Sequence, residues 1–302
     1  MHIHTPVEFE KIIDGDWPQS VNLTRERMAV QQLLDSREST ELLVTRLLKY
    51  SKSFTTTFDH IRNNQWEPLL KQPSFNWSID GRVLSSTAWN FEKNNIHITL
   101  GKIYKEEGDK HVAHQEYKEA SQQFNKASQH YERAYDALKR WKWKLPSENH
   151  YIISPKWQCS QIENLKALHQ LCTLSVGIGK NATDKTLYTI AQRGVKHAAL
   201  SQIHYYSENS LLHLCETIRY LYSSNIQWNK GKYGASIDTV QRWVTPIETA
   251  FMAIKQEFEK IPLLTRERQL TNNNVYFDIV KPGASLPTLP ELIDSTIDLD
   301  HP

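Results

Sequence analysis

The chain has 302 residues, 39% apolar and 23% charged, which is a polar but foldable composition and not that of a disordered chain. Thirty-six Lys+Arg oppose 34 Asp+Glu for a formal charge of +2, so no concentrated basic character points to nucleic acid. Glycine is scarce at 10 residues, which argues against a turn-rich all-β protein and favours long helices. The three cysteines, Cys159, Cys172 and Cys215, are too few and odd in number for a disulfide framework, so a reducing compartment is expected.

The first 20 or so residues hold Pro6, Gly15 and Pro18 and read as irregular or short extended structure. Met1-His-Ile-His-Thr-Pro6 lacks a basic region followed by an apolar run, so a secretory leader is not expected, and the sequons at Asn22, Asn76 and Asn181 are expected to stay unmodified. No apolar stretch reaches the ~18 residues of a membrane span, and Asp298 to Pro302 carries no prenylation box.

Helical periodicity starts near Arg25. Between Ser39 and Asn63, Leu43, Leu47, Tyr50, Phe54, Phe58 and Ile61 recur at steps of three and four, with cap-like Ser39, Thr40 and Glu41 ahead of them. A break from Asn63 to Gly81 contains Pro68, Pro73 and Ser74-Phe-Asn-Trp-Ser78. A long helix resumes near Ser86 and runs through Trp89, Ile96, Leu100 and Ile103. The strongest signal is Tyr117, Ala120, Phe124, Ala127, Tyr131, Ala134, Leu138 and Trp141, one unbroken stripe on a helix about 37 Å long. Its alternation of small and large residues suits close packing in an internal helical array better than a coiled coil. Pro146 ends it.

Ser160–Val176 and Asp184–Ser207 read as a helical pair broken around Gly177 and Gly179, followed by a helix over Ser210–Gln227. A second stripe joins Tyr233, Ile237, Val240, Val244, Ile247, Phe251, Ile254, Phe258 and Ile261, so a single helix is expected there, kinked at Pro246 near Trp243. A short helix around Arg266–Thr271 is expected to give way to an extended Val275–Val280, and the Pro-containing tail from Lys281 to lie extended or disordered.

Catalytic motifs are missing. Val176-Gly-Ile-Gly-Lys-Asn181 resembles a fragment of a phosphate loop, but Leu174 stands where the first glycine belongs and Asn181 replaces the Mg²⁺-binding hydroxyl. A helix-to-helix turn is the simpler reading. His169 with Cys172, and His213 with Cys215, lack the further ligands a zinc site needs. No G-x-S-x-G, H-E-x-x-H or G-x-G-x-x-G occurs, and paired carboxylates such as Glu106 and Glu107 sit in solvated charged runs. Trp141-Lys-Trp143-Lys is suited to stacking bases, but more often such a cluster closes a helix end. No catalytic residue, cofactor, metal or nucleic-acid partner is therefore expected.

The order of segments resembles the Alix-type BRO domain family, helical scaffold domains associated with the ESCRT machinery. Leu43–Phe58 resembles the family's early Leu-Leu-x-Tyr-Tyr helix, Phe75-Asn-Trp77 its Phe-Thr-Trp, and Phe91-Glu-Lys93 the Tyr/Phe-Glu-Lys that opens a long helix. Tyr117–Tyr131 is similar to the family's Ala-x-x-x-Phe-x-x-Ala-x-x-x-Phe helix, Lys180–Gly194 to its Lys-Ala-Thr…Ile-Ala-Lys-Leu-Ala, and Asn274-Val-Tyr-Phe-Asp278 to its terminal Asp-Phe-Ile-Tyr-His-Asp. The likeness spans residues 25 to 282, with the family's N-terminal strands shortened.

The resemblance implies an all-α fold, a boomerang-like array of long antiparallel helices with tetratricopeptide-like packing and a small extended element near the N-terminus. One domain is expected over residues 1–285, followed by a tail over 286–302. It also implies a non-enzymatic cytoplasmic scaffold in ESCRT-linked endosomal sorting or membrane remodelling. In that family a concave apolar patch receives the C-terminal amphipathic helix of an ESCRT-III subunit. Carried over, the patch's bulky contacts fall at Gly177, Thr189 and Arg193, none of which supplies a large apolar side chain. The partner-binding residues that remain are Lys118, Leu187, Ile190 and Arg193, with Arg193 favouring an acidic incoming helix. Two readings follow: a scaffold that captures a helical peptide, or a diverged adaptor that kept the fold and lost ESCRT-III tail binding. Peripheral contact with a membrane is a third, weakened by a net charge of only +2.

Overall fold

The structure, a computed structural model, describes residues 2–3, 7–9, 18–36, 39–63, 74–79, 82–139, 154–204, 210–245 and 247–276. The Trp141–Lys144 cluster and the tail from Lys281 lie outside the described residues. The elements in chain order are β1 (His2–Ile3), α1 (Pro18–Ser36), α2 (Thr40–Asn63), β2 (Phe75–Ile79), β3 (Arg82–Ser86), α3 (Trp89–Ala113), α4 (Tyr117–Lys139), α5 (Pro155–Gly179), α6 (Asp184–His204), α7 (Ser210–Asn229), α8 (Tyr233–Trp243), α9 (Met252–Glu259), α10 (Ile261–Thr271) and a π-helical turn, Asn272–Tyr276. The chain is thus predominantly helical with a small sheet near the N-terminus. It divides into two compact units. The first comprises Met1–His111, Glu119–Lys166 and Ser201–Tyr206; the second comprises Val112–Lys118, Ala167–Leu200 and Ser207–Pro302.

In the first unit α2 starts where Ser39 Oγ accepts the Leu42 N–H at 3.4 Å, the capping that the sequence announces. The break before α3 contains a hairpin, β2 and β3 pairing antiparallel with Trp77 opposite Leu84, and β1 adds Ile3 opposite Trp77. Phe54 and Phe75 are fully buried and pack edge to face, and Trp89 lies within 5.8 Å of Phe9, Phe54, Phe58 and Phe75. Helix α1 begins at Pro18, seven residues before its periodicity becomes visible, because a proline is favoured at the first helical position.

A carboxylate stands inside this apolar core. Glu92 is fully buried, and its oxygens accept from Arg27 Nε at 2.8 Å, Tyr50 O–H at 2.8 Å and Trp77 Nε1 at 2.6 Å. The hub ties α1, α2, β2 and α3 together and satisfies a charge that burial would otherwise penalise heavily. Burial alone would lower the Arg27 pKa, but Glu92 and Tyr50 hold it above its ordinary value. Burial, then Glu92, pushes the Tyr50 hydroxyl well above its own.

Helices α3 and α4 run antiparallel. Asn94 Nδ2 donates to the Ala134 carbonyl at 2.9 Å, and Gly108 faces Phe124 further along. Gly101 and Gly108 are seven residues apart, as are Phe124 and Tyr131. A Cβ on either glycine would stand 2.7 Å and 2.6 Å from the Tyr131 and Phe124 rings respectively. Each glycine costs the helix about 1 kcal/mol of propensity, offset by seating a large ring. The stripe read from Tyr117 onward is this face of α4, whose Ala120, Phe124, Ala127, Tyr131, Ala134 and Leu138 are buried.

In the second unit α5 and α6 form a hairpin. Asn181 takes a left-handed φ of 53°, Ala182 N–H reaches the Gly177 carbonyl at 2.9 Å, and Asn181 N–H reaches that of Ile178 at 3.0 Å. This pair of bonds terminates a helix, so Val176–Asn181 is a helix end with its glycines inside α5. The same device ends α7, with Gly231 at φ 75°.

Two expectations are corrected here. The stripe from Tyr233 to Ile261 is not one kinked helix: α8 ends at Trp243, Val244 and Phe251 are extended, and the helix restarts at Met252. A proline within the helix removes one amide donor and crowds the preceding turn, and here the helix stops short of Pro246. Val275 and Tyr276 are not extended either; they complete the π-helical turn that continues α10, where Tyr276 stacks on Tyr233 with ring centroids 3.7 Å apart. Residues 277–280 lie outside the described set.

Candidate partner-binding site

The four residues singled out in the sequence all fall in the second unit. Leu187, Ile190 and Arg193 are on α6, and their exposure follows the helix phase. Leu187, Ala191, Gly194, Val195 and Ala198 are buried and form its inner stripe. Lys185, Thr186, Thr189, Arg193 and Lys196 are exposed and form the outer one. Ile190 is half-buried at the border between the two.

Leu187 is only 5% exposed. A Cβ at Gly177 would lie 2.9 Å from Leu187 Cδ2, so the missing side chain on α5 is the space that this leucine fills. Leu187 therefore closes the hairpin and offers little surface to a partner. Gly194 plays the same part against α7, its absent Cβ standing 3.1 Å from Cys215 Sγ. Thr189, exposed, spends its hydroxyl on the Lys185 carbonyl at 2.9 Å.

Lys118 is exposed at the start of α4. The preceding Tyr117 fixes that helix end: its ring stacks on Phe251 with centroids 6.0 Å apart, and its hydroxyl accepts the Ala253 N–H at 3.4 Å.

The N-terminus of α6 is anchored by a network that sequence reading missed. Asp184 accepts from Asn225 Nδ2 at 2.9 Å and Asn229 Nδ2 at 3.2 Å. Asn225 Oδ1 in turn accepts from Arg268 Nη2 at 2.7 Å. The buried Arg268 also donates through Nη1 to Ser224 Oγ at 2.7 Å and Ser236 Oγ at 3.0 Å. Burial lowers the Arg268 pKa, and the charge of Asp184 partly offsets it. The network joins α6, α7, α8 and α10, so the outer face of α6 is held in one orientation. Asp184 is the sole carboxylate of α6, and it is occupied there. The outer stripe consequently presents Lys185, Arg193 and Lys196 with no acidic residue between them. The run Lys185, Thr186, Thr189, Arg193 and Lys196 at helical spacing was the available sequence signal.

Among the described residues no three His, Cys, Asp or Glu side chains converge as metal ligands. No disulfide joins Cys159, Cys172 and Cys215; burial pushes the Cys215 thiol up to about 12, far from a reactive thiolate. Among the described residues no helix is long and apolar enough to cross a membrane.

No protein-family profile matches the sequence, and no curated protein matches it. Solved structures do. The BRO1 domain of ALIX in a complex with CHMP4C superimposes with a TM-score of 0.66 at 14% identity, over 89% of this chain and 82% of that one. ALIX in complex with the late-domain peptide PYKEVTEDL of SIVmac239 gives a TM-score of 0.68 at 13% identity, over 93% of this chain. This chain spans 45% of that longer ALIX chain. The fold is thus BRO1-like, at strongly diverged sequence.

Proposed function

We propose that this protein is a non-enzymatic scaffold that captures a helical segment of a partner protein on the second unit, with the outer face of α6 as the recognition surface. The supporting observation is the stripe Lys185, Thr186, Thr189, Arg193 and Lys196, cationic and polar on a helix fixed by the Asp184–Asn225–Arg268 network. Ile190 at its edge supplies the apolar contact, and Lys118, exposed at the start of α4, is a further cation of the same unit. Such a face selects an acidic amphipathic helix. Each exposed ion pair adds only about 0–1 kcal/mol, so affinity comes from apolar burial beside Ile190 and selectivity from charge. The BRO1-like fold, seen in ALIX with CHMP4C, supports a role in ESCRT-linked sorting in the cytoplasm, at endosomes.

The burial of Leu187 and the lack of a large apolar side chain at Gly177, Thr189 and Arg193 favour the second reading as well. Under it the fold is kept, the apolar groove of an ESCRT-III tail is lost, and the partner is a different acidic helix. Fluorescence anisotropy with a CHMP4C C-terminal peptide and with an acidic amphipathic helix of equal length separates the two. Binding of the first supports ESCRT-III capture, and binding of the second alone supports the diverged adaptor. Arg193→Glu and Lys118→Glu are expected to weaken capture without lowering the melting temperature. Ile190→Asp is expected to weaken it further, with some loss of stability. If neither peptide binds, or both charge reversals leave binding unchanged, the surface is a solvated helix face and the proposal fails.

A further inference from the structure

The first unit contains a cleft of about 440 Å³ that the reading above does not use. Three helices line it, each at helical spacing: Leu48, Ser51, Lys52, Thr55 and Thr56 from α2; Asn90, Lys93 and His97 from α3; His130, Arg133, Asp136 and Ala137 from α4. The volume lies within the roughly 300–1,000 Å³ of small-molecule sites, but the lining is unlike the apolar lining usual there. Among the described lining residues Lys52, Lys93 and Arg133 stand with one carboxylate, Asp136, and three hydroxyls.

The floor is polar and buried. Asn90, His97 and His130 are each 5–6% exposed. The two imidazoles meet Nδ1 to Nδ1 at 3.2 Å, and the Tyr104 ring stacks on His130 at 5.4 Å. Such a contact needs one Nδ1–H to donate and the other Nδ1 to accept, so the accepting ring carries its hydrogen on Nε2. Burial, then His130, Arg133 and Lys93, lowers the His97 pKa to about 3; burial, then Arg133, lowers that of His130 to about 4. At neutral pH the floor therefore offers neutral hydrogen-bonding groups, while the positive charge stands on the lysines and arginine.

We infer that this cleft binds a small phosphorylated molecule, with Lys52, Lys93 and Arg133 gripping phosphate oxygens and Ser51, Thr55, Thr56 and Asn90 bonding the remainder. Arginine forks match phosphate oxygens in pairs, and lysines act as mobile point charges. Among the described lining residues three cations stand with one carboxylate, a balance that favours an anionic ligand over a cationic one. The polar lining excludes an apolar one. The volume exceeds what a single phosphate ion fills, so the ligand carries a polar body as well. A soluble phosphorylated polyol and the headgroup of a phosphorylated lipid share this chemistry.

Isothermal titration calorimetry of the full chain with inositol trisphosphate at near-physiological salt tests the inference. Sedimentation with phosphatidylcholine vesicles containing phosphatidylinositol bisphosphate forms the second arm. Arg133→Glu is exposed and should fold normally; it is expected to weaken binding at least tenfold. Lys230→Glu, exposed in the turn after α7 in the second unit and outside this cleft, should change binding less than twofold. Binding in both arms, lost with Arg133→Glu, identifies a headgroup site; binding of the soluble probe alone identifies a metabolite site. No binding in either arm overturns the inference. So does equal weakening by Lys230→Glu and Arg133→Glu, which would mark diffuse attraction to positive charge anywhere on the surface.

Discussion

Arg27 in the first compact unit and Arg268 in the second are both buried, and they are held in different ways. Arg27 meets a full carboxylate: Nε and Nη2 reach the two oxygens of Glu92 at 2.8 and 3.4 Å, and Tyr50 and Trp77 complete that carboxylate's bonding. Arg268 meets two serine hydroxyls and an asparagine oxygen, and its nearest negative influence, Asp184, reaches it through Asn225. One guanidinium is held above its ordinary pKa and the other below it. The first arrangement closes a core by neutralising charge, at the risk that losing either partner strands the other. The second spreads a cation over neutral dipoles, so loss of any one bond leaves partners for the rest.

The largest expected effect follows from this asymmetry. Glu92→Gln removes the carboxylate charge that faces the buried Arg27 guanidinium, and should destabilise the protein by about 3–5 kcal/mol. Arg268→Met leaves Ser224 and Ser236 hydrogen-bonded to each other at 3.0 Å and should cost about 1–2 kcal/mol. Urea unfolding of both variants measures the difference. Equal costs would show that the two sites are energetically alike despite their different partners.

Acid provides a second contrast. His97 and His130 have folded-state pKa values of about 3 and about 4, below the ordinary imidazole value. Between about pH 6.5 and pH 4 the unfolded chain binds protons at these positions and the folded chain does not, so stability falls as pH falls through that window. The slope approaches about 1.4 kcal/mol per pH unit for each imidazole. A His97→Gln, His130→Gln double variant should lose stability less steeply between pH 6.5 and 4.5 by denaturant titration. An unchanged slope would assign the acid sensitivity to other groups.

Much of this was legible from the sequence, but not evenly. Helix α4 was clear because its buried and exposed faces differ in composition, so the stripe from Tyr117 to Leu138 stood out. Helix α3 was harder: from Trp89 to Gly101 every residue but Lys93 is buried, including Glu92, Asn94, Asn95, His97 and Thr99. Polar residues inside a core imitate a solvent-facing stripe, so periodicity saw neither the Glu92 hub nor the histidine pair. The stripe from Tyr233 to Ile261 failed in the opposite way. Val244, Phe251, Ile254, Phe258 and Ile261 are buried as their spacing implies, yet the backbone leaves the helix between Trp243 and Met252. Side-chain phase reports burial, and the missing amide of Pro246 decides the backbone. Among the candidate partner residues, sequence placed Ile190 and Arg193 on one helix. It had no means of showing that Gly177 makes room for Leu187.

Glycine substitution sharpens the contrast at smaller amplitude. At Gly108 of the first unit a Cβ would lie 2.6 Å from the Phe124 ring, which is fully buried on α4 and would have to shift within the core. Gly108→Ala should therefore destabilise by about 1–2 kcal/mol, the overpacking cost exceeding the gain in helix propensity.

The smallest effect is expected at Gly179, in the last turn of α5 in the second unit. It is exposed, its φ is not left-handed, and nothing stands within 4 Å of a Cβ placed there. Alanine meets no neighbour at this site, and it reduces the freedom of the unfolded chain. Gly179→Ala should stabilise the protein by about 0.5 kcal/mol, less than the full propensity difference because a terminal turn frays. The left-handed position that the hairpin needs belongs to Asn181, two residues on, so the turn itself is untouched. Thermal unfolding of Gly179→Ala beside Gly108→Ala reads the two signs directly. Destabilisation by Gly179→Ala would mean that the end of α5 requires glycine for a reason other than packing within the chain.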